Sequence, residues 1–84
     1  ENAIMDAIEL LKKLVIETRK EEGCIQYDLF EDSRNKGVFF IHEVWERNDD
    51  LQSHQVSEHM MEFRERINPF QEKPNIVYIG NKLF

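Results

Sequence analysis

The residues able to do chemistry gather at and after the most apolar run of the chain, Val38 to Trp45. That run carries Glu43 and ends in the only Trp, and His54 and His59 follow it. An unperturbed imidazole titrates near pH ~6.5, so His54 could take a proton from a hydroxyl at neutral pH. A structural role competes, with His54 bridging a short helix to the sheet. His59 lies just inside a helix cap at Ser57, where it could touch a bound molecule or bond backbone or a second protomer. Trp45 either lines a pocket or fills the core with its indole N–H bonded to a neighbour. Glu43 is a charge in an apolar strand and needs a partner to offset its desolvation. A helix N-terminus, an arginine or His54 could be that partner. Tyr27 could donate a hydrogen bond to a bound oxygen or be a core aromatic with a wet hydroxyl.

Metal chemistry is not expected. Ligand pairs on a helix sit four residues apart so that both rings share a face; His54 and His59 are five apart across a cap. A single Cys offers no thiolate pair. Cys24 reads as a small buried hydrophobe rather than a nucleophile. There is no Gly-rich phosphate loop and no Ser nucleophile elbow.

The elements that must position these groups are legible from periodicity. Ile4, Ala7, Ile8, Leu11, Leu14, Val15 and Thr18 recur at spacings of three and four, which predicts an amphipathic helix over about 2–20. Arg19 and Lys20 suit its C-terminal dipole, and Gly23 stops it. Cys24 to Glu31 alternates, with Ile25, Tyr27 and Leu29 on one face, and is expected to be a strand. The polar loop 32–37 ends in Gly and predicts a hairpin. The second strand, Val38 to Trp45, is apolar on both faces. Such a strand needs a layer on each side. The helices cover one side only, so a second copy is expected on the other, sheet against sheet, with His42 in that interface. Asn48 is a cap signal for a short helix over about 49–55, and Ser57 for a helix carrying Met60, Phe63 and Ile67 inward. Pro69 and Pro74 end that helix, and Ile76 to Ile79 predict a last strand.

The 84 residues are expected to form one domain, 1–84, with a small core that gains from oligomerisation. The net charge of −6 and scattered cations speak against nucleic acid. No apolar run nears the ~20 residues of a membrane span. One unpaired Cys fits a reduced, cytoplasmic setting.

The order α-β-β-α-β is an α+β pattern, the split β-α-β motif of ferredoxin-like folds less its first strand, which is expected upstream of Glu1. At this point the residues resemble a known family. Glu22-Gly23-Cys24-Ile25-Gln26-Tyr27-Asp28-Leu29 is similar to one strand signature of the antibiotic biosynthesis monooxygenase (ABM) family. Glu43-x-Trp45 followed by Leu51-x-x-His54-x-x-Ser57-x-His59 resembles its second signature. The resemblance implies a ferredoxin-like protomer in a homodimeric α/β barrel. It implies a cofactor-independent oxidation of a small quinol or aromatic by O₂, with His54 as the base and Trp45, Tyr27, Phe39, Glu43 and His59 around the substrate. Acid–base isomerase or signal-processing chemistry on the same fold, and a non-catalytic binding module, are the other readings it leaves open. Ile41, Leu51 and Glu65 stand where the polyketide oxygenases of the family carry polar substrate contacts, and Arg64 where its haem-degrading members carry an iron ligand. Neither of those two activities is therefore expected.

Overall fold

The computed structural model describes residues 2–68, in the order α1 (Asn2–Thr18), β1 (Cys24–Glu31), β2 (Phe39–Trp45), α2 (Asn48–Gln55) and α3 (Glu58–Ile67). The strand expected after Pro74 lies outside the described residues. The two strands pair antiparallel, and α1 and α3 lie together on one face of the sheet.

The core is the meeting of these layers. Ala7, Leu11, Leu14, Val15 and Thr18 form the buried stripe of α1. Leu14 and Val15 pack with Tyr27 of β1, and Leu29, Ile41, Trp45, Met60 and Phe63 close around them. Burying the Leu14 side chain alone contributes about 2 kcal/mol. Of the apolar spacing of α1, all but Ile4 and Ile8, which are only partly buried, is buried.

One side-chain direction departs from simple alternation. Cys24 pairs with Trp45 and Gln26 with Val44, so Ile25 is an extra residue, a bulge in β1. The bulge turns Ile25 outward to 65% exposure, while Cys24 joins the core with Tyr27. Ile25 and Tyr27 therefore do not share a face as expected.

Among the described residues, the hairpin end of the outer sheet face is apolar and uncovered. Phe30 and Phe40 stack there at 5.0 Å between ring centroids, and Val38 is half exposed beside the hairpin. His42, expected in an interface, lies exposed on this strand. The hairpin loop is held by Asp32, whose Oδ1 accepts from the backbone N–H groups of Arg34 and Asn35 at 2.8 and 3.1 Å.

The helix starts differ in how they are capped. The residue preceding α2 is Arg47, which makes no side-chain cap bond, and Asn48 lies inside the helix rather than capping it. Ser57 does cap α3, its Oγ accepting from the Met60 N–H at 3.3 Å. The Ser57 hydroxyl also donates to the His54 carbonyl at 2.7 Å. This one side chain fixes the corner between α2 and α3.

Candidate functional site

Three separate segments converge on one carboxylate oxygen. Glu21 sits in the turn after α1, His54 near the end of α2 and His59 in the first turn of α3. Glu21 Oε2 lies 2.6 Å from His54 Nδ1 and 2.6 Å from His59 Nε2. A carboxylate only accepts, so each of these ring nitrogens carries the proton. The lone pairs then fall on His54 Nε2 and His59 Nδ1. The corner at Ser57 explains why a spacing of five works: the rings belong to two helices, and the turn between them aims both at Glu21. The expectation that this spacing keeps the imidazoles apart is corrected by the geometry.

The turn that carries Glu21 is built to fit. Gly23 has φ +83°, which favours glycine, and a Cβ there would collide with the Asp50 carboxylate of α2. The Gly23 carbonyl accepts from the Glu46 N–H at 2.8 Å, tying the turn to the end of β2. Arg19 donates to the Tyr27 carbonyl at 3.0 Å and to Asp28 Oδ1 at 2.9 Å, so the end of α1 is clamped to β1. Arg19 thus acts on the strand rather than only on the helix dipole.

The two imidazoles have unlike surroundings. His54 is fully enclosed at 0% exposure. Its ring centroid lies 4.9 Å from that of Trp45 and 5.4 Å from that of Tyr27. Its Nε2 is buried and has no hydrogen-bond partner among the described residues. His59 has a quarter of its side chain exposed and lines a cleft of about 260 Å³ between α1 and α3. Leu10, Leu14 and Phe63 give that cleft apolar walls, and Lys13, Glu17 and Arg66 give it charges.

The other expected site residues are placed as follows. Trp45 and Tyr27 stand edge to face at 6.5 Å and pack around His54; neither lines the cleft. Burial, aided by the Glu43 carboxylate, pushes the Tyr27 phenol well above its ordinary range. Glu43 Oε1 accepts from the Trp45 indole N–H at 2.8 Å. Its partner is therefore neither a helix N-terminus, nor an arginine, nor His54. Phe39 lies six residues from Trp45 along β2, about 20 Å away at strand spacing, and does not join the cluster. Burial, then the Glu21 and Glu43 carboxylates, push the Cys24 thiol upward, which disfavours the thiolate a nucleophile needs.

Glu21 was invisible to pattern reading. It is one acidic residue in the run Lys20-Glu21-Glu22, with no spacing that distinguishes it from its neighbours. Its place just before the φ-positive Gly23 is the only local signal, since that turn fixes where its side chain goes.

The sequence and the fold are similar to those of known proteins. A family model described as antibiotic biosynthesis monooxygenase matches residues 3–66. The chain is 30% identical over 70 residues to Rv0793 of Mycobacterium tuberculosis, a protein named provisionally as a monooxygenase, covering 83% of this chain and 68% of that one. A crystal structure of an antibiotic biosynthesis monooxygenase superposes with a TM-score of 0.92 at 31% identity, covering 99% of this chain and 87% of that chain. A Nitrosomonas europaea protein shares the fold with a TM-score of 0.93 at 15% identity, over 100% of this chain and 81% of that chain. With its ferredoxin-like α+β architecture and a match over most of its length, the chain belongs to the antibiotic biosynthesis monooxygenase family.

Proposed function

We propose that this chain is an oxygenase acting on a small electron-rich aromatic alcohol of the quinol kind, bound in the cleft between α1 and α3. The observation that supports this reading is His59. It alone of the two clustered imidazoles reaches both the cleft and Glu21 Oε2. The resemblance assigns the base to His54, but a fully enclosed ring meets no substrate from solvent. The role passes to His59, with Glu21 orienting it as acids orient catalytic imidazoles. His54, packed between Trp45 and Tyr27, then holds Glu21 in place, and none of the three touches substrate.

The chemistry follows from the tautomer. His59 Nδ1 takes the hydroxyl proton, and the imidazolium is stabilised by Glu21. The electron-rich anion reduces O₂ and captures it as a ring hydroperoxide, making one C–O bond. Cleavage of the O–O bond releases water and leaves one oxygen atom on the ring. Quinol plus O₂ thus becomes hydroxyquinone plus water. The substrate supplies all four electrons, so the balance calls for no flavin or external reductant.

A homodimer belongs to the proposal. Phe30, Phe40 and Val38 leave an exposed apolar sheet face of the kind that marks an interface, and a second copy closes it. The test of function is oxygen uptake by the purified full chain with a panel of hydroquinones and polyphenols. Uptake with at least one is expected, falling ~100-fold in His59→Ala. No uptake across the panel, or uptake unchanged in His59→Ala, sinks the proposal.

A further inference from the structure

We propose that Glu21, His54 and His59 form a binding site for a divalent transition-metal ion of the zinc class. Each offers one ligand atom, and the three atoms lie within 4.8 Å of one another. The donor set is two imidazoles and one carboxylate, which suits zinc, cobalt or iron and not the all-oxygen shells of calcium or magnesium. Three protein ligands with a further position left for water is the pattern of zinc sites that keep an open face. Here the open side is where the α1–α3 cleft reaches His59.

The ligands are pre-arranged. His54 is immobilised by burial against Trp45 and Tyr27. His59 is held relative to it by the Ser57 corner. Glu21 and the partly exposed His59 have to adjust. The Glu21 oxygen stands 2.6 Å from each nitrogen, closer than two ligands of one ion. With metal–ligand bonds of ~2.1 Å, ligand atoms sit roughly 3.4 Å apart, so the carboxylate retreats by less than ~1 Å and His59 closes on His54 from within the 4.8 Å that the three ligand atoms now span.

A second observation points the same way. His54 Nε2 is buried with no hydrogen-bond partner among the described residues. With Glu21 alone as partner, the Nδ1–H tautomer leaves that nitrogen as a bare lone pair in a shell of rings. Metal on Nδ1 moves the proton to Nε2, so that nitrogen is no longer a bare lone pair among the rings of Trp45 and Tyr27. The surrounding charge also favours a cation: Glu17, Glu58 and Glu62 line the adjoining cleft, and the chain carries a net charge of −6.

The site does not depend on the oxygenase reading, and it excludes one step of it. Metal on His59 Nε2 places the proton on Nδ1, the nitrogen that reading uses as base. An occupied site therefore has no base facing the cleft.

The experiment is a titration of the full chain, freed of any histidine tag, with Co²⁺ and Zn²⁺, read by calorimetry and by the visible absorption of bound Co²⁺. One ion per chain is expected, with affinity rising as pH rises through the imidazole range. Glu21→Gln and His59→Ala, both at partly exposed positions and checked for folding by circular dichroism, are expected to weaken binding ~100-fold. His42→Ala, on the far sheet face, leaves it unchanged. His59→Cys adds a thiolate-to-Co²⁺ charge-transfer band, which a merely structural role cannot produce. Absence of stoichiometric binding, equal binding in Glu21→Gln and His59→Ala, or no new band in His59→Cys each overturns the assignment. None of these readings uses turnover, so failure of the oxygenase proposal does not touch them.

Discussion

His54 and His59 bond the same carboxylate oxygen at the same distance, yet one is sealed and the other opens to a cleft. The difference comes from the elements that carry them. His54 projects from α2 under the sheet end, where Trp45 and Tyr27 close over it. His59 projects from α3 across from α1, where long polar side chains leave a gap. A shared hydrogen bond therefore does not mean a shared role. Burial makes His54 a structural member whose loss is felt in folding. Access makes His59 the member whose loss, on the proposed function, is to be felt in chemistry.

The sharpest way to break this comparison is His54→Ala. The substitution removes a fully buried ring, opens a cavity against Trp45 and Tyr27, and takes one donor from Glu21. A loss of about 3 kcal/mol of stability is expected, read as a lowered urea midpoint. A loss under ~1 kcal/mol means the ring is not the keystone its burial suggests.

Glu21→Gln addresses both imidazoles at once. The amide can keep an acceptor oxygen where Oε2 stands but removes the charge. Two charge-assisted bonds weaken, one of them to a buried ring. The expected cost is about 2 kcal/mol in the same urea measurement. If His54→Ala has already been made, Glu21→Gln should then cost less, because its buried partner is gone. That non-additivity measures the coupling between the pair.

How much of this could be read beforehand depended on sequence distance. The stripe Ala7, Leu11, Leu14, Val15 and Thr18 repeats within one helix, and it is buried as its spacing demands. The Ser57 cap is likewise local, and it is where the spacing placed it. Ile25 was misread because a bulge adds one residue to a strand without any mark in its composition. Asn48 was misread as a cap because a favourable residue type does not fix the start of a helix. Glu21 was missed for a deeper reason. Its partners are 33 and 38 residues away, and no local pattern reports a contact that three elements make by folding together. The sequence placed both imidazoles near the site but offered only Glu43 as a carboxylate for His54, and Glu43 instead holds the Trp45 indole.

Tyr27 sharpens the sealed side of the comparison through pH. Burial raises its phenol above the ordinary value of 10.0, so the unfolded chain ionises first as pH rises. The stability it contributes is whole below pH 10.0 and is lost progressively above it. In that alkaline window the unfolding free energy is expected to fall by up to ~1.4 kcal/mol per pH unit in the native chain. Tyr27→Phe should lack this slope while changing stability at neutral pH by less than ~1 kcal/mol. Urea midpoints measured at neutral pH and above pH 10.0 for both chains decide it. A slope surviving in Tyr27→Phe would assign the alkaline loss elsewhere and loosen the picture of a closed shell around His54.

The smallest effect on folding belongs to the open side. His59→Ala removes a partly exposed ring at the start of α3, where alanine is a good helix former and the Ser57 cap is untouched. Water entering from the cleft can replace the bond to Glu21, so the expected cost is only ~0.5 kcal/mol. The same substitution removes the one clustered imidazole that faces the cleft. Stability and chemistry therefore separate at this residue. If His59→Ala unfolds the chain as readily as His54→Ala, the cleft is a packing seam and the two imidazoles are one structural unit. If it leaves the urea midpoint nearly in place, the contrast between sealed and open stands, because a group that contributes little to folding is free to serve the cleft.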